Sequence, residues 1–441
     1  MSEFAEVEDM ALCRERRAAR QKELIEQFNL PVISFTMNIA GPVKRTGLIE
    51  WAFKCGLKCI YEKLAGRITS YEIISEKTGC EAMLTVNADA EQIKGKMMLI
   101  ETEHGFGRWF DIDVIAPDGR KLSRDIQRRC FVCGNPAAVC ARSRAHSVDE
   151  LFKKTEEVFL TGFRAFVSEK TGAALRKEVN TTPKPGLVDR RNSGANTDMN
   201  VSTFELSIER ISPFFGEMAV KAYESGSVSR ELLNELVKIG KNAEKAMFAA
   251  TNGVNTHKGA IFSIGLIASA YAIMKANAAS YGSGFIDECL SLAGELAKVK
   301  AEDGSSSSNG ARVRQTFGIG GAVDEAKAGF PIVKEAIVTK KMFKNDHPDP
   351  WTAALLRIMS ELDDTNIFKR GGLQGASFVR NRAKELLSMG GELTVSALER
   401  FDNELIEKNI SSGGCADMLA AAMLIEDLEE FERVETMTSL C

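Results

Sequence analysis

The feature that most constrains this chain is a change of hydrophobic period partway along it. Up to about residue 165, apolar residues recur at both helical and strand spacing. From about residue 170 onward the strand signal disappears and one helical pattern follows another. A chain of 441 residues also exceeds what one core usually supports, roughly 250–300 residues. The sequence therefore predicts a multidomain protein: an α+β domain with an antiparallel sheet over 1–165, then an all-α domain over 170–441.

In the first half, residues 11–28 carry an amphipathic helix pattern, and Pro31-Val-Ile-Ser-Phe-Thr-Met37 reads as a strand entering a Gly41-Pro42 turn. A helix is expected around 46–65. Met97–Glu103 and Arg108–Ile115 read as two strands of one hairpin, with a Pro117-Asp118-Gly119 turn closing the second. In the second half, helical patterns cover 203–222, 229–250, 259–278, 284–300, 350–361, 377–389, 395–408 and 415–433. Ser202-x-x-Glu205 has the chemistry of a capping box, and 259–278, apolar nearly all round, belongs at the centre of a bundle. The Gly/Ser-rich stretch 301–310 reads as an exposed, mobile loop. No internal repeat is visible.

Charge narrows the function. Lys+Arg 57 against Asp+Glu 61 gives a net charge of −4, so no global basic field draws nucleic acid or an anionic membrane. No stretch reads as membrane-spanning, and the N-terminus, with its acidic and then arginine-rich residues, lacks the apolar segment of a signal peptide. Ten cysteines without a secretion signal point to reduced thiols or metal ligands, and so to the cytoplasm.

Asp111 and Asp113 stand two apart in an expected strand, so both carboxylates face one way. Such a pair suits one or two Mg²⁺ ions, with Glu101 or Glu103 of the expected neighbouring strand as a further ligand. A solvated strand face is the plainer alternative. Around the pair, Arg108, Arg120, Lys121, Arg124, Arg128, Arg129, Arg142 and Arg144 outnumber Asp111, Asp113, Asp118 and Asp125. Carboxylates among arginines suit a metal-bound polyphosphate. Cys130-x2-Cys133-x6-Cys140-x5-His146 has the ligand number and type of tetrahedral zinc, at a spacing that matches no common finger. Buried thiols in a tight turn are the alternative.

Several stretches of residues 10–160 together resemble the citrate lyase holo-acyl-carrier-protein synthases (apo-citrate lyase phosphoribosyl-dephospho-CoA transferases). They are Arg14…Arg17…Arg20-Gln21, Pro31-Val-Ile-Ser-Phe-Thr, Gly41-Pro-Val-Lys44, Gly107-Arg-Trp-Phe-Asp-Ile-Asp-Val114 and Arg128-Arg-Cys-Phe-Val-Cys…Ala-Val-Cys-Ala-Arg142…His146. The resemblance implies transfer of a phosphoribosyl-dephospho-CoA group to a serine of the citrate lyase acyl carrier protein (its gamma subunit), with release of pyrophosphate. Asp111, Asp113 and Arg108 become the catalytic candidates, and Lys44, Arg124, Arg128 and Arg129 the phosphate-binding ones.

The second half places polar motifs at helix ends. In Thr182-Pro183-Lys184-Pro185-Gly186-Leu187-Val188-Asp189-Arg190, two prolines fix φ on either side of Lys184 and present it on a stiff segment. Lys184 and Arg190 are candidates for phosphate, and Asp189 for a metal or a proton. A Pro-rich linker is the alternative. Asn255-Thr256-His257-Lys258-Gly259 precedes the most apolar helix, where free amides and Lys258 offer a phosphate cradle and His257 a proton carrier. Phe317–Ala322, Asp363-Asp364-Thr365-Asn366 with Arg370-Gly371-Gly372, and Ser411–Asp417 complete the set.

These five turns, in this order over 178–425, resemble triphosphoribosyl-dephospho-CoA synthases. The resemblance implies that ATP and 3′-dephospho-CoA react by displacement at the ribose C1, expelling adenine and leaving the triphosphate on the sugar. Where the family reads Gly-Ala-Arg-Gly-Glu-Ala, this chain has Val323 in place of the arginine, with Arg312, Arg314 or Lys327 as substitutes; Cys415 also departs from the family's serine. The two resemblances together imply a bifunctional transferase. The acyl carrier protein of malonate decarboxylase is the alternative acceptor, and a nucleotide- or CoA-binding regulator with an inactive second half is the alternative class.

Overall fold

The computed structural model describes residues 4–123, 128–277, 284–299, 309–343 and 348–433. Arg124 and residues 301–308 of the Gly/Ser-rich stretch lie outside them. The chain divides into two compact units whose main boundary falls between Phe163 and Arg164; of the described residues, 275–277 and 431–433 group with the first unit.

The first unit contains α1 (Val7–Phe28), β1 (Val32–Met37), α2 (Gly47–Lys63), β2 (Ile68–Glu76), β3 (Gly79–Val86), α3 (Ala90–Glu103), β4 (Phe110–Ile115), α4 (Ala137–Ser143) and the start of α5 (Val148–Asn180). Its antiparallel sheet runs β2-β3-β1-β4. Sheet and helices meet through aromatics: Phe35 stacks on Phe53 at 4.6 Å and meets Phe110 edge-on at 5.3 Å. A Cβ on Gly56 of α2 would sit 2.7 Å from Phe35 and 2.8 Å from Phe110, so only glycine permits this approach. α1 is tied down by ion pairs, Arg16–Glu76 (3.1 Å), Arg17–Glu81 (3.0 Å) and Arg20–Glu72 (2.8 Å).

The expected hairpin of 97–103 with 108–115 is not formed. Met97-Met98-Leu99-Ile100 belongs to α3, capped by Asp89 (Gln92 N to Oδ1, 3.0 Å), and Ile93, Met97 and Ile100 are buried at helical spacing. A short apolar run fits either period, and here the longer stretch of helix formers from Ala90 decides. The partners of β1 are β3 and β4, with Ser34 opposite Asp113 and Thr36 opposite both Asp111 and Glu81. Strands β2 and β3 gave no clear signal in the sequence; β3 is buried along its whole length.

The second unit holds the rest of α5, then α6 (Val201–Ser225), α7 (Arg230–Ala250), α8 (Lys258–Ala276), α9 (Phe285–Lys298), α10 (Asn309–Phe317), α11 (Gly321–Lys327), α12 (Pro331–Met342), α13 (Pro350–Glu361), α14 (Thr365–Ser388), α15 (Val395–Glu407) and α16 (Gly413–Glu432). It is all-α, as expected. α8 is the one helix among the described residues long and apolar enough to cross a membrane, and 83% of its apolar 18-residue stretch is buried inside the protein as a core helix. The cap of α6 is Asn200 with Thr203, not Ser202 with Glu205. The helix expected at 377–389 is the latter part of α14, which bends at Gly372 (φ 59°).

The ends of α8 and α16 bring Lys275 and Glu432 into the first unit. Glu432 accepts from Lys275 Nζ at 2.7 Å and from Lys54 Nζ at 2.8 Å. Burial alone would raise its pKa; the two ammonium groups reverse that and hold it at about 2.

Candidate active sites in the two units

Strand β4 is the edge of the sheet, and its outward backbone groups are satisfied by two side chains of α3 and by the backbone at Leu122. Glu101 accepts from Ile112 N (3.0 Å) and Lys94 Nζ donates to Ile112 O (3.1 Å), while Leu122 N donates to Val114 O (2.9 Å). Lys94 and Glu101 lie seven residues apart, two turns of one face of α3. This closes an edge that would otherwise template pairing with another strand. Phe110, Ile112 and Val114 point into the core, and Asp111 and Asp113 share the opposite, half-open face.

Each aspartate faces a cation. Arg128 donates to Glu101 (2.8 Å), Phe110 O (2.6 Å) and Asp111 (3.3 Å), and Lys121 pairs with Asp113 at 2.6 Å. Glu101 is thus present beside the pair, but it is buried and engaged with Arg128 and β4 rather than projecting from a strand. Arg108 Nε donates to Arg129 O, and its guanidinium lies 5.7 Å from the Phe131 ring centre. Arg129 donates to Gly134 O at 3.3 Å. Lys44 donates to Ile39 O, just past β1 at the same end of the sheet as Asp111, and burial lowers its pKa. Cys130, Cys133, Cys140 and His146 are gathered within 4.8 Å of one another.

The centre of the second unit is enclosed. Lys184 is 1% exposed and its ammonium is paired with Glu178 of α5, a residue no motif pointed to. Asp189 holds the loop together: Oδ2 accepts from Lys184 N (2.8 Å), and Oδ1 from Arg191 N (2.7 Å) and Asn192 N (3.2 Å). Asp402 of α15, also missed in the sequence, accepts from Gly186 N and from Asn192 Nδ2, each at 2.8 Å. Arg190 points outward to Asn180 (2.8 Å). Arg370 donates to Ala195 O (2.7 Å) and Asn196 Oδ1 (2.9 Å), so it clamps the same loop.

His257 is 2% exposed. Its Nδ1 meets Ser207 Oγ at 2.7 Å and Thr256 Oγ1 at 3.1 Å, and its Nε2 is buried without a hydrogen-bond partner. Burial, with the Lys184 ammonium nearby, drives its pKa down to about 3, so the imidazole is neutral. Asn255 caps α8 through Lys258 N (3.2 Å), and Lys258 Nζ pairs with Glu244 at 2.7 Å on a half-exposed surface. Asp364 caps α14 (Asn366 N, 2.7 Å) and also accepts from Cys415 N (3.0 Å), tying the start of α16 to it. Gly259 lies against Asp417, where a Cβ would come within 1.9 Å of the carboxylate. Desolvation raises the pKa of Glu178, Asp364 and Asp417, and for Asp417 the neighbouring Asp364 and Glu178 raise it further. The structure thus gathers Glu178, Lys184, His257, Asp364 and Asp417, and leaves Arg190 and Lys258 on the outside.

Two families match the chain on consecutive spans. Residues 5–161 match the apo-citrate lyase phosphoribosyl-dephospho-CoA transferases, and residues 165–436 the ATP:dephospho-CoA triphosphoribosyl transferases. Protein CitXG of Haemophilus influenzae is 34% identical over 94% of this chain and 94% of its own length. Protein CitXG of Leuconostoc mesenteroides subsp. cremoris is 30% identical over 94% and 95%. The 2-(5″-triphosphoribosyl)-3′-dephosphocoenzyme-A synthase of Haemophilus ducreyi is 33% identical over 67% of this chain and 99% of its own. With both matches on one polypeptide, and relatives of the same two-part build along nearly its whole length, the chain belongs to the CitXG family of fused transferases.

Proposed function

We propose that residues 170–441 join ATP and 3′-dephospho-CoA, and that residues 1–165 attach the product to the citrate lyase acyl carrier protein in the cytoplasm. In the first reaction the 2′-hydroxyl of dephospho-CoA attacks C1 of the ATP ribose. The C1–N bond breaks, adenine leaves with a proton, and 2′-(5″-triphosphoribosyl)-3′-dephospho-CoA results. In the second, a serine hydroxyl of the carrier attacks the α-phosphorus of that triphosphate and pyrophosphate leaves. The observation that carries this reading is that each family span holds its own polar centre, Asp111–Asp113–Arg128 in one and Glu178–Lys184–His257–Asp364–Asp417 in the other.

Mg²⁺ suits the first centre, because Asp111 and Asp113 offer oxygen ligands on one half-open face and this ion combines one or two carboxylates with substrate phosphates. Arg108, Arg128, Arg129 and Lys44 neutralise the remaining phosphate charge. In the second centre His257, neutral, hydrogen-bonds and orients the attacking hydroxyl, and one of the raised carboxyls, Asp364 or Asp417, exchanges the proton. Asp189 and Arg370 keep the loop in place around Lys184. Arg190, Asn255 and Lys258 meet the triphosphate from the outer side. Val323 stands where the family pattern has an arginine, and Arg312, Arg314 or Lys327 takes over its charge.

The test is to incubate the protein with ATP, Mg²⁺, dephospho-CoA and apo carrier protein, then weigh the carrier and measure adenine. Carrier gaining the phosphoribosyl-dephospho-CoA mass supports both halves. Adenine without that gain removes the role of the first unit, and tight ATP binding without adenine favours the regulator. The malonate decarboxylase carrier, run in parallel, decides the acceptor.

A further inference from the structure

We propose that Cys130, Cys133, Cys140 and His146 bind one structural zinc ion, which fixes the segment carrying Arg128 and Arg129 and thereby positions Arg108. Three Sγ atoms and one imidazole nitrogen already lie within 4.8 Å of one another, with Cys133 and Cys140 Sγ 3.4 Å apart. A tetrahedral site with Zn–S bonds of about 2.3 Å places its sulfurs about 3.8 Å apart, so small movements seat the ion.

The local chain is built as a zinc ligand carrier. Cys130 N donates to Asn135 O (2.7 Å) and Gly134 N to Cys130 O (2.9 Å), closing a tight turn in which Gly134 adopts φ +76°. Cys140 comes from α4, and Ala145 N returns to Cys140 O (3.1 Å) immediately before His146. Between residues 130 and 146 the buried residues are Cys130 and Cys140 alone. A turn and a seven-residue helix with no apolar core of their own lack the burial that normally offsets ordering entropy. Metal binding supplies that free energy in small motifs of this kind.

Histidine chemistry agrees. His146 Nδ1 lies 3.4 Å from the Glu150 carboxylate, and Nε2 is buried without a hydrogen-bond partner. A metal-bound imidazole characteristically gives its other N–H to a carboxylate, which orients the ring. The link to the first centre is Phe131, inside the Cys130–Cys133 turn. It packs on Trp109 at 4.8 Å and lies under the Arg108 guanidinium, whose Nε donates to Arg129 O. The positioning role rests on the proposed transfer to the carrier; the metal site does not.

Full-length protein purified from zinc-supplemented medium should contain about one zinc per chain. Replacement by Co²⁺ should give the thiolate charge-transfer and tetrahedral d–d bands of a three-sulfur, one-nitrogen site. Cys133→Ser and His146→Ala should each lose most of the metal. Removing zinc from the wild-type protein should abolish carrier modification while leaving adenine release intact, and added zinc should restore it. Absence of zinc together with absence of the cobalt bands overturns the site, as does quantitative recovery of a Cys133–Cys140 disulfide from reducing buffer. Bound zinc whose removal leaves carrier modification unchanged overturns the positioning role. If apo carrier is never modified under any condition but zinc and cobalt bind as expected, the transfer reading fails and the metal site stands.

Discussion

The two centres use the same residue types in opposite surroundings. Asp111 and Asp113 stand on the half-open face of an edge strand, with side chains 43% and 23% exposed. Lys184, His257 and Asp364 are each no more than 2% exposed. Water screens the first set, so short ion pairs with Arg128 and Lys121 form and exchange readily. In the second set desolvation governs ionisation, raising Glu178, Asp364 and Asp417 and lowering His257. The difference suits the two proposed reactions. A centre that modifies another folded protein must be open to it, whereas a displacement at a ribose carbon that competes with hydrolysis gains from excluding water.

The sharpest way to break this comparison is Asp111→Asn. It should cut carrier modification by about 10³-fold or more, since a lost metal ligand removes several kcal/mol, and leave adenine release unchanged. A parallel fall in both activities would mean that the centres do not work separately. Next, Arg128→Ala leaves the buried Glu101 carboxylate without its guanidinium, and should destabilise the first unit by about 3 kcal/mol in denaturant unfolding. Arg128→Lys should recover only part of this, because one ammonium does not span Glu101, Phe110 O and Asp111.

His257→Ala should slow adenine release by about 10²-fold, the low end for a proton-handling group, because an imidazole with a pKa near 3 is a weak base at neutral pH. The same residue gives a pH signature. Its folded pKa lies below its unfolded one, so its contribution to stability is complete above about pH 6.5 and is lost as pH falls toward 3. The raised carboxyls act in the opposite sense, so the readout is the difference between proteins: acidification from pH 7 to 5 should lower the Tm of wild type more than that of His257→Ala. Equal losses would remove His257 as the titrating group. The mildest change is Lys258→Ala. Its ammonium is half-exposed and already neutralised by Glu244, so the KM for ATP should rise by about tenfold at most and Tm should barely move. A larger rise would place Lys258 deeper in the triphosphate contact than its position suggests.

Long periodic helices were legible in the sequence because their signal is spread over many turns, and α6 to α8 fall within a few residues of their expected ends. Strand β3, buried on both faces, shows no alternation to read, and the apolar run of α3 is too short to reveal its period. At the sites, turn chemistry exposed Lys184, Asp189, His257 and Asp364, since prolines, glycines and polar residues cluster visibly there. Glu178 sits inside the 33-residue helix α5, and Asp402 inside α15, without any local signature. Their roles arise from contacts across the fold, Asp402 with Gly186 being 216 residues apart. The sequence pattern places Glu101 on a strand beside the aspartates; as a residue of helix α3 it holds Arg128 and the edge of β4.

The ion cluster around Glu432 has a consequence for the order in which the protein is made. The strands and most helices of the first unit leave the ribosome early, yet two of its charged groups, Lys275 and Glu432, are translated far later. The pairing of Glu432 with Lys54 therefore forms only when almost the entire chain has been synthesised. A fragment ending at residue 165 never receives that partner. The ion cluster of the first unit is thus complete only in a polypeptide whose last described helix has also been made.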